Sequence, residues 1–306
     1  YAPSEMISYI NNLLEVSKKP AVQDHWNYSP DFYKKTVNYA GLRNLGATCF
    51  FNSIVQQLYH LYPVQYIMST YPYNPSNNGQ KDFEMQKLQE LFLFMKYSLR
   101  KFVDTEDFIS NWHGWGKALI NPREQHDAAE FFGFLLETMP NSIQKLFTGK
   151  LVNTVMKENG DVVHSDTEPF QTLDVDIKGM SSLDESIKKM TDHEHLETID
   201  DVTHQKVRVL KYLRILEEPP VLVIHLKRFD YDMRNYSKIK LNDKFAFPVD
   251  LSIDVLLDTP KVCTYKLFGI VVHSGNATGG HYTSYINKQA NKSNETWWKF
   301  NDTEVS

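Results

Sequence analysis

GLRNLGATCFFNSIVQQLYHLY, Gly41 to Tyr62, is the stretch from which the rest of the chain is read. Cys49, one of only two cysteines, falls where a glycine-bearing loop gives way to a helical pattern. Phe51, Ile54, Val55, Leu58, Leu61 and Tyr62 then recur at the spacing of one buried helix face, and Pro63 is expected to end it. A cysteine at a helix start meets the positive end of the macrodipole and unpaired backbone N–H groups. Both favour the thiolate, the nucleophilic form. The alternative is a small buried hydrophobe, which cysteine often is. Position alone leaves both readings open.

Four further blocks follow in order: REQHDAAEFFGFLLE from Arg123, PPVLVIHLKRFDYD from Pro219, GIVVHSGNATGGHYTSYI from Gly269 and WWKFNDTEV from Trp297. Two histidines, His273 and His281, compete as the base that a cysteine nucleophile needs, and spacing does not choose between them. Gln125 to Met139 reads as a helix whose apolar side is Phe131, Phe134, Leu135 and Met139. Asp127 and Glu130 share a face of its first turns, where the helix dipole stabilises acids. On residues alone that pair is a solvated surface.

NLGATCFFNSIVQQL closely resembles the cysteine box of the ubiquitin-specific proteases, and GIVVHSGNATGGHYTSYI resembles their histidine box. The resemblance runs from about Gly41 to the end of the chain, and its wording looks closest to the very large members of the family. It implies an α+β, papain-like cysteine protease fold with thumb, palm and fingers. The reaction it implies is hydrolysis of the bond after ubiquitin's C-terminal glycine, with ubiquitin and ubiquitinated proteins as partners and no cofactor. It picks His281, in GGHY, as the catalytic base. It makes Asn301 the orienter of that ring, with Asp302 assisting, and Asn44 a donor to the oxyanion. Such a donor is typically worth about 3 kcal/mol of transition-state stabilisation. Asp127, Glu130, Gln125, His273, Gly280 and Tyr282 would line the channel for ubiquitin's tail. Two other readings stay open: a non-catalytic ubiquitin-binding module of the same fold, and a protease for another ubiquitin-like modifier.

The expected organisation is an N-terminal flanking helix and linker over 1–40, followed by a catalytic domain over 41–306. That domain divides into a helical thumb half, about 41–145, and a β-rich palm and fingers, about 146–306. With no initiator Met, the chain is expected to be excised from a longer protein. Ile7, Ile10, Leu13 and Leu14 give the flanking helix its pattern. TYPYNPSNNGQKD, 70–82, reads as a loop. Phe83 to Phe102 reads as an amphipathic helix with Leu88, Leu91, Phe92, Met95 and Leu99 inward, and Phe108, Trp112 and Trp115 add aromatic bulk after it. LVNTVMKENGDVVHS reads as a hairpin turning at Gly160, and SLDESIKKM as a helix. VLVIHLKRF reads as a buried strand with His225 as a satisfied core histidine. Tyr265 to His273 reads as one strand buried on both faces. Cys263, just before it, reads as structural. Family members usually grip a structural zinc with two CxxC pairs in the fingers. Here VMKENGD and DDVTHQKVRV stand in their places. His164, His193, His195 and His204 remain, and His193 and His195 read as solvated, so the fingers are expected to lack zinc.

Composition limits the alternatives. At 306 residues and 42% hydrophobic the chain has ample material for a core, and its net charge of −5 comes from mixed acids and bases. No run of lysines or arginines favours a nucleic-acid partner. No apolar run approaches the ~20 residues of a membrane helix. Two cysteines far apart make no disulfide framework, so a reducing compartment is expected. Asn-X-Ser/Thr triplets at Asn27, Asn235, Asn276, Asn291, Asn294 and Asn301 read as chance. A glycan on Asn301 would block the site, which favours an intracellular, cytoplasmic or nuclear, protein.

Overall fold

The computed structural model describes residues 37–72, 79–114, 118–199, 204, 206–288 and 296–306. The flanking helix expected near Ile7 to Leu14, Trp115 and part of the 70–82 loop lie outside them. The chain forms two compact units. One takes the described residues up to Ile143 with those of Phe268–Gly275 and Gly279–Ser306. The other takes Gln144–Leu267 with Asn276–Thr278.

The first unit opens with β1 (Gly41–Leu42), α1 (Cys49–His60), α2 (Tyr62–Thr70) and α3 (Gln80–Tyr97). β2 (Phe102–Val103), α4 (Glu106–Ile109) and α5 (Ala128–Thr138) follow, and α6 (Asn141–Phe147) spans the boundary between the units. α1 is buried on nearly every side, not along one stripe. Two of its glutamines bond to backbone and side chains inside the fold. The Gln56 amide donates to Ala40 O, and the Gln57 amide reaches Ile270 O, Ser284 Oγ and Tyr285 O. A ring cluster of Phe50, Phe51, Phe108, Trp112 and Phe131 packs against it.

Three boundaries differ from the sequence reading. Tyr62 is 74% exposed, because the chain breaks at Leu61 and Pro63 opens α2 where it had been expected only to stop α1. α3 begins at Gln80, inside the expected loop, and ends at Tyr97. Ser98 turns to an extended conformation, leaving Leu99 66% exposed, while Phe102 pairs with Gly41 in a short parallel ladder. α5 begins at Ala128, so Gln125 and His126 precede the helix.

The second unit carries β3 (Gly149–Lys157), β4 (Val162–Phe170), β5 (Leu173–Val175), α7 (Leu183–Thr191), β6 (Glu194–Ile199), β7 (Lys206–Glu217) and β8 (Ile224–Leu226). β9 (Phe229–Asp232), β10 (Ser237–Lys240), β11 (Asp250–Ser252) and β12 (Thr264–Lys266) complete it. β3 and β4 form the expected hairpin, with Gly160 at φ +93° where only glycine sits without strain. Their sheet has the order β4-β3-β7-β6. Ser182 caps α7 by accepting from Glu185 N–H. The core gathers Phe170, Leu173, Val175, Ile187, Ile215 and Leu256. VLVIHL yields only the three half-buried residues of β8, paired in parallel with β5. His225 is therefore no core histidine; its ring, a third exposed, meets Asp174 at 2.8 Å. His193 and His195 are exposed, and among the described residues no group of three or more metal-binding side chains stands together. Among them, too, no helix is long and apolar enough to cross a membrane.

The expected strand from Tyr265 to His273 is two strands broken at Leu267–Phe268. β13 (Gly269–Gly275) belongs to the first unit, in an antiparallel sheet of order β13-β14-β15-β16 with β14 (Gly280–Asn287), β15 (Trp297–Asn301) and β16 (Glu304–Val305). Val272 is exposed, so β13 is not buried on both faces. α1 packs on this sheet. A Cβ on Gly269 would fall 1.9 Å from Gln57 Oε1, so glycine is what lets helix and sheet close up there.

Candidate active site

The loop before α1 is held by its own side chains. Asn44 Oδ1 accepts from the backbone N–H of Gly46 at 2.9 Å and of Thr48 at 3.1 Å, and Leu45 N–H donates to Thr48 Oγ1. Gly46 sits at φ +134°, open only to glycine without strain, and Ala47 N–H donates to Pro122 O. These bonds fix where Cys49 enters the helix. Cys49 is 3% exposed. Burial pushes its thiol above the ordinary range, and the Asp302 carboxylate adds to the rise. The backbone N–H groups of Tyr282, Phe50 and Cys49 itself pull it down. Of the two readings that position left open, burial acts toward the neutral thiol, and the backbone N–H groups at the helix start act toward the thiolate.

His281 stands at the start of β14, opposite Ser274 in the ladder. Its Nε2 lies 2.6 Å from Asn301 Oδ1 and 3.9 Å from Asp302 Oδ2. With Nε2 given to Asn301, Nδ1 is the ring atom free to take a proton. The backbone N–H of Tyr282, the residue after His281, acts on the Cys49 thiol and favours its charged form.

Asn301 ends β15, and Asp302 forms the tight turn into β16 at φ +50°, a left-handed conformation that Asp tolerates better than most residues. Asp302 Oδ2 accepts from the Asn44 amide at 2.9 Å, Oδ1 accepts from Asn52 at 2.8 Å, and its backbone oxygen accepts from Leu42 N–H. A Cβ on Gly41 would lie 2.5 Å from Asp302 O. Asn44 is thus shared: one amide hydrogen is used on Asp302, and the second remains for another acceptor. Asn52 and Gln57 escaped the sequence reading. The available signal was polar side chains among the apolar positions of a buried helix.

The channel residues divide. Gln125 brackets Gly280, its amide donating to Gly280 O at 2.8 Å and its oxygen accepting Gly280 N–H at 3.0 Å. Its amide is therefore occupied with the loop ahead of His281. The space a Cβ would fill on Gly280 is taken by the His273 ring, 2.2 Å from that position. Glycine there leaves room for the His273 ring. His273 and Tyr282 face each other across the ladder, ring centroids 4.7 Å apart. Asp127 caps α5, its Oδ1 accepting from Ala129 and Glu130 N–H, and the Tyr282 hydroxyl points at its Oδ2. Burial first, then Asp127, holds the Tyr282 phenol well above its ordinary value. Glu130 is exposed.

Asp127→Ala is expected to lower stability by about 1 kcal/mol through loss of the cap, whereas Asp127→Asn keeps it within ~0.5 kcal/mol. Denaturant melts of the two variants check this; equal losses would show that the cap is not what Asp127 supplies.

The ubiquitin carboxyl-terminal hydrolase family model matches residues 40–306. The chain belongs to that family. Ubiquitin C-terminal hydrolase 13 of Arabidopsis thaliana is 30% identical over 97% of this chain and 28% of its own length. The probable ubiquitin carboxyl-terminal hydrolase FAF of Drosophila melanogaster is 29% identical over 92% of this chain and 13% of its own. Ubiquitin carboxyl-terminal hydrolase 5 of Schizosaccharomyces pombe is 29% identical over 92% and 26%. The chain thus spans under a third of these relatives. The solved SAGA Ubp8/Sgf11/Sus1/Sgf73 DUB module bound to ubiquitin aldehyde matches with a TM-score of 0.75 at 24% identity, over 91% of this chain and 67% of that one. The architecture is the papain-like α+β fold of the ubiquitin-specific proteases.

Proposed function

We propose that this chain is the catalytic part of a deubiquitinating cysteine protease, which hydrolyses the isopeptide or peptide bond after ubiquitin's last glycine. The observation that carries the reading is the 2.6 Å contact of His281 Nε2 with Asn301, on the sheet against which the helix that begins at Cys49 packs. In this reading His281 Nδ1 takes the Cys49 proton as sulfur attacks the carbonyl carbon. Asn301 holds the ring, and the nearby Asp302 charge supports the imidazolium that forms. The oxyanion is met by the second amide hydrogen of Asn44 and by backbone N–H at the start of α1. The imidazolium then protonates the leaving amine. His281 next activates a water that breaks the thioester, freeing the ubiquitin carboxylate and the thiol. Ubiquitin's basic tail would find Glu130, whose carboxylate is exposed, more readily than Asp127, which is used in the cap and toward Tyr282.

Hydrolysis of a fluorogenic ubiquitin C-terminal amide tests this, beside a matched substrate made from another ubiquitin-like protein. Release from the ubiquitin substrate is the expected result. Release only from the other modifier would redirect the specificity. Binding of ubiquitin without any release would leave a binding module.

A further inference from the structure

We propose that Asn52 is a positioning residue for the reaction: its amide holds one oxygen of the Asp302 carboxylate so that the other is presented to Asn44 and His281. The proposal rests on the reading of Cys49 and His281 as the reacting pair. Asn52 lies three residues after Cys49, one turn along α1 on the same face, so both side chains are directed at the end of the β14–β15 sheet. It is 3% exposed, inside a helix that is buried on nearly every side. Its Nδ2 donates to Asp302 Oδ1 at 2.8 Å and to Leu42 O at 3.3 Å, so both amide hydrogens are used. Its own oxygen finds no partner among the described residues. A buried amide left half-satisfied is unfavourable unless its donors do something an apolar residue cannot.

The donors supply orientation. Asp302 stands in a left-handed two-residue turn, and its carboxylate can rotate about χ2. With Oδ1 on Asn52, the plane is set and Oδ2 falls 2.9 Å from the Asn44 amide and 3.9 Å from His281 Nε2. One carboxylate thereby serves both the oxyanion donor and the base, and Asn52 fixes the plane in which it does so. The second Asn52 bond, to Leu42 O, ties the arrangement to β1, whose Leu42 N–H binds Asp302 O. Without Asn52, the Asn44 amide is the one side-chain hydrogen bond left to the carboxylate among the described residues, and the carboxylate can pivot about it relative to the imidazole.

The test is a double-mutant cycle with Asp302. Asn52→Ala in the otherwise native chain is expected to lower kcat on the ubiquitin amide about tenfold with KM within about twofold, as small misplacements near the reacting atoms do. In an Asp302→Ala background the same change is expected to cost less than about twofold, because there is no carboxylate left to orient. Equal losses in both backgrounds, or no loss in either, would overturn the proposal. Asn52→Ser, which keeps a small polar group in the helix, repeats the cycle if Asn52→Ala does not fold. Failure of both to fold would make Asn52 a structural residue and overturn it equally. A parallel cycle follows alkylation of Cys49 by iodoacetamide in a Cys263→Ser background and involves no ubiquitin. Slower alkylation in Asn52→Ala that vanishes with Asp302→Ala is the expected result. A native chain that never turns over ubiquitin but shows this coupling would refute the substrate while upholding Asn52; turnover without coupling would do the reverse.

Discussion

Cys49→Ala is expected to lower kcat on a ubiquitin C-terminal amide by about 10⁴-fold or more, with ubiquitin affinity unchanged within about threefold. The sulfur is the atom that forms the thioester, and none of its neighbours replaces it: Asn44, Asn52, Asn301 and Asp302 are bonded to one another or to His281. Residual catalysis would come from the oxyanion donors alone. The fold should survive, since the side chain is short and its loss leaves α1 held by Gln56, Gln57 and the ring cluster. Cys49 also has a pH signature. Burial raises its pKa in the folded chain, so its contribution to stability is full below the pKa of an unfolded thiol. That contribution is lost as pH rises through the folded value. The alanine variant should therefore lose stability less steeply on the alkaline side. Kinetics, binding by calorimetry and melts at neutral and alkaline pH check the three parts. Turnover retained in Cys49→Ala would remove the nucleophile from the site and the proposed mechanism with it.

What the sequence reveals of this site follows from how local each signal is. Cys49 at a loop-to-helix junction is legible because glycine, threonine and the apolar period all lie within a few residues. His281 is legible only through resemblance, since spacing treats His273 as its equal. Asn52 and Gln57 were illegible because their partners are Asp302 and the strands after Phe268, more than two hundred residues away. A polar residue on a helix says nothing by itself about a distant acceptor. The Gln125–Gly280 pair was illegible for the same reason, its two residues lying 155 apart in the chain. Boundaries failed where backbone chemistry beat side-chain period. Leu99 and Tyr62 continue an apolar rhythm, but Ser98 and Leu61 leave helical conformation one residue earlier and turn them outward. The apolar run VLVIHL suggested a long buried strand. Only Ile224–Leu226 pairs, because β5 offers a three-residue ladder.

Gly280→Ala is expected to cost about 100-fold in kcat/KM while leaving the thermal midpoint close to that of the native chain. The added methyl would lie 2.2 Å from His273 Nε2 and 2.3 Å from Ser274 O, both far inside contact distance. The His273 ring can swing aside, but Ser274 O is backbone, in the ladder that sets His281 opposite Ser274. Gly280 cannot slide the other way either, because Gln125 holds both its N–H and its C=O. The strain must therefore pass to the next residue, His281, whose 2.6 Å contact with Asn301 and alignment with Cys49 depend on where β14 begins. Displacing the base by a fraction of an ångström reduces the rate without unfolding the sheet, whose Ser284, Ile286 and Asn287 remain buried. Because the Ser274 oxygen stays in place when the His273 ring is removed, His273→Ala in the Gly280→Ala chain should recover less than about a tenth of the lost activity. Full rescue by that second change would mean that the glycine serves only the histidine ring. Native kcat/KM in Gly280→Ala itself would mean that β14 yields at its first residue, and that the base is located by Asn301 and not by the strand that carries it.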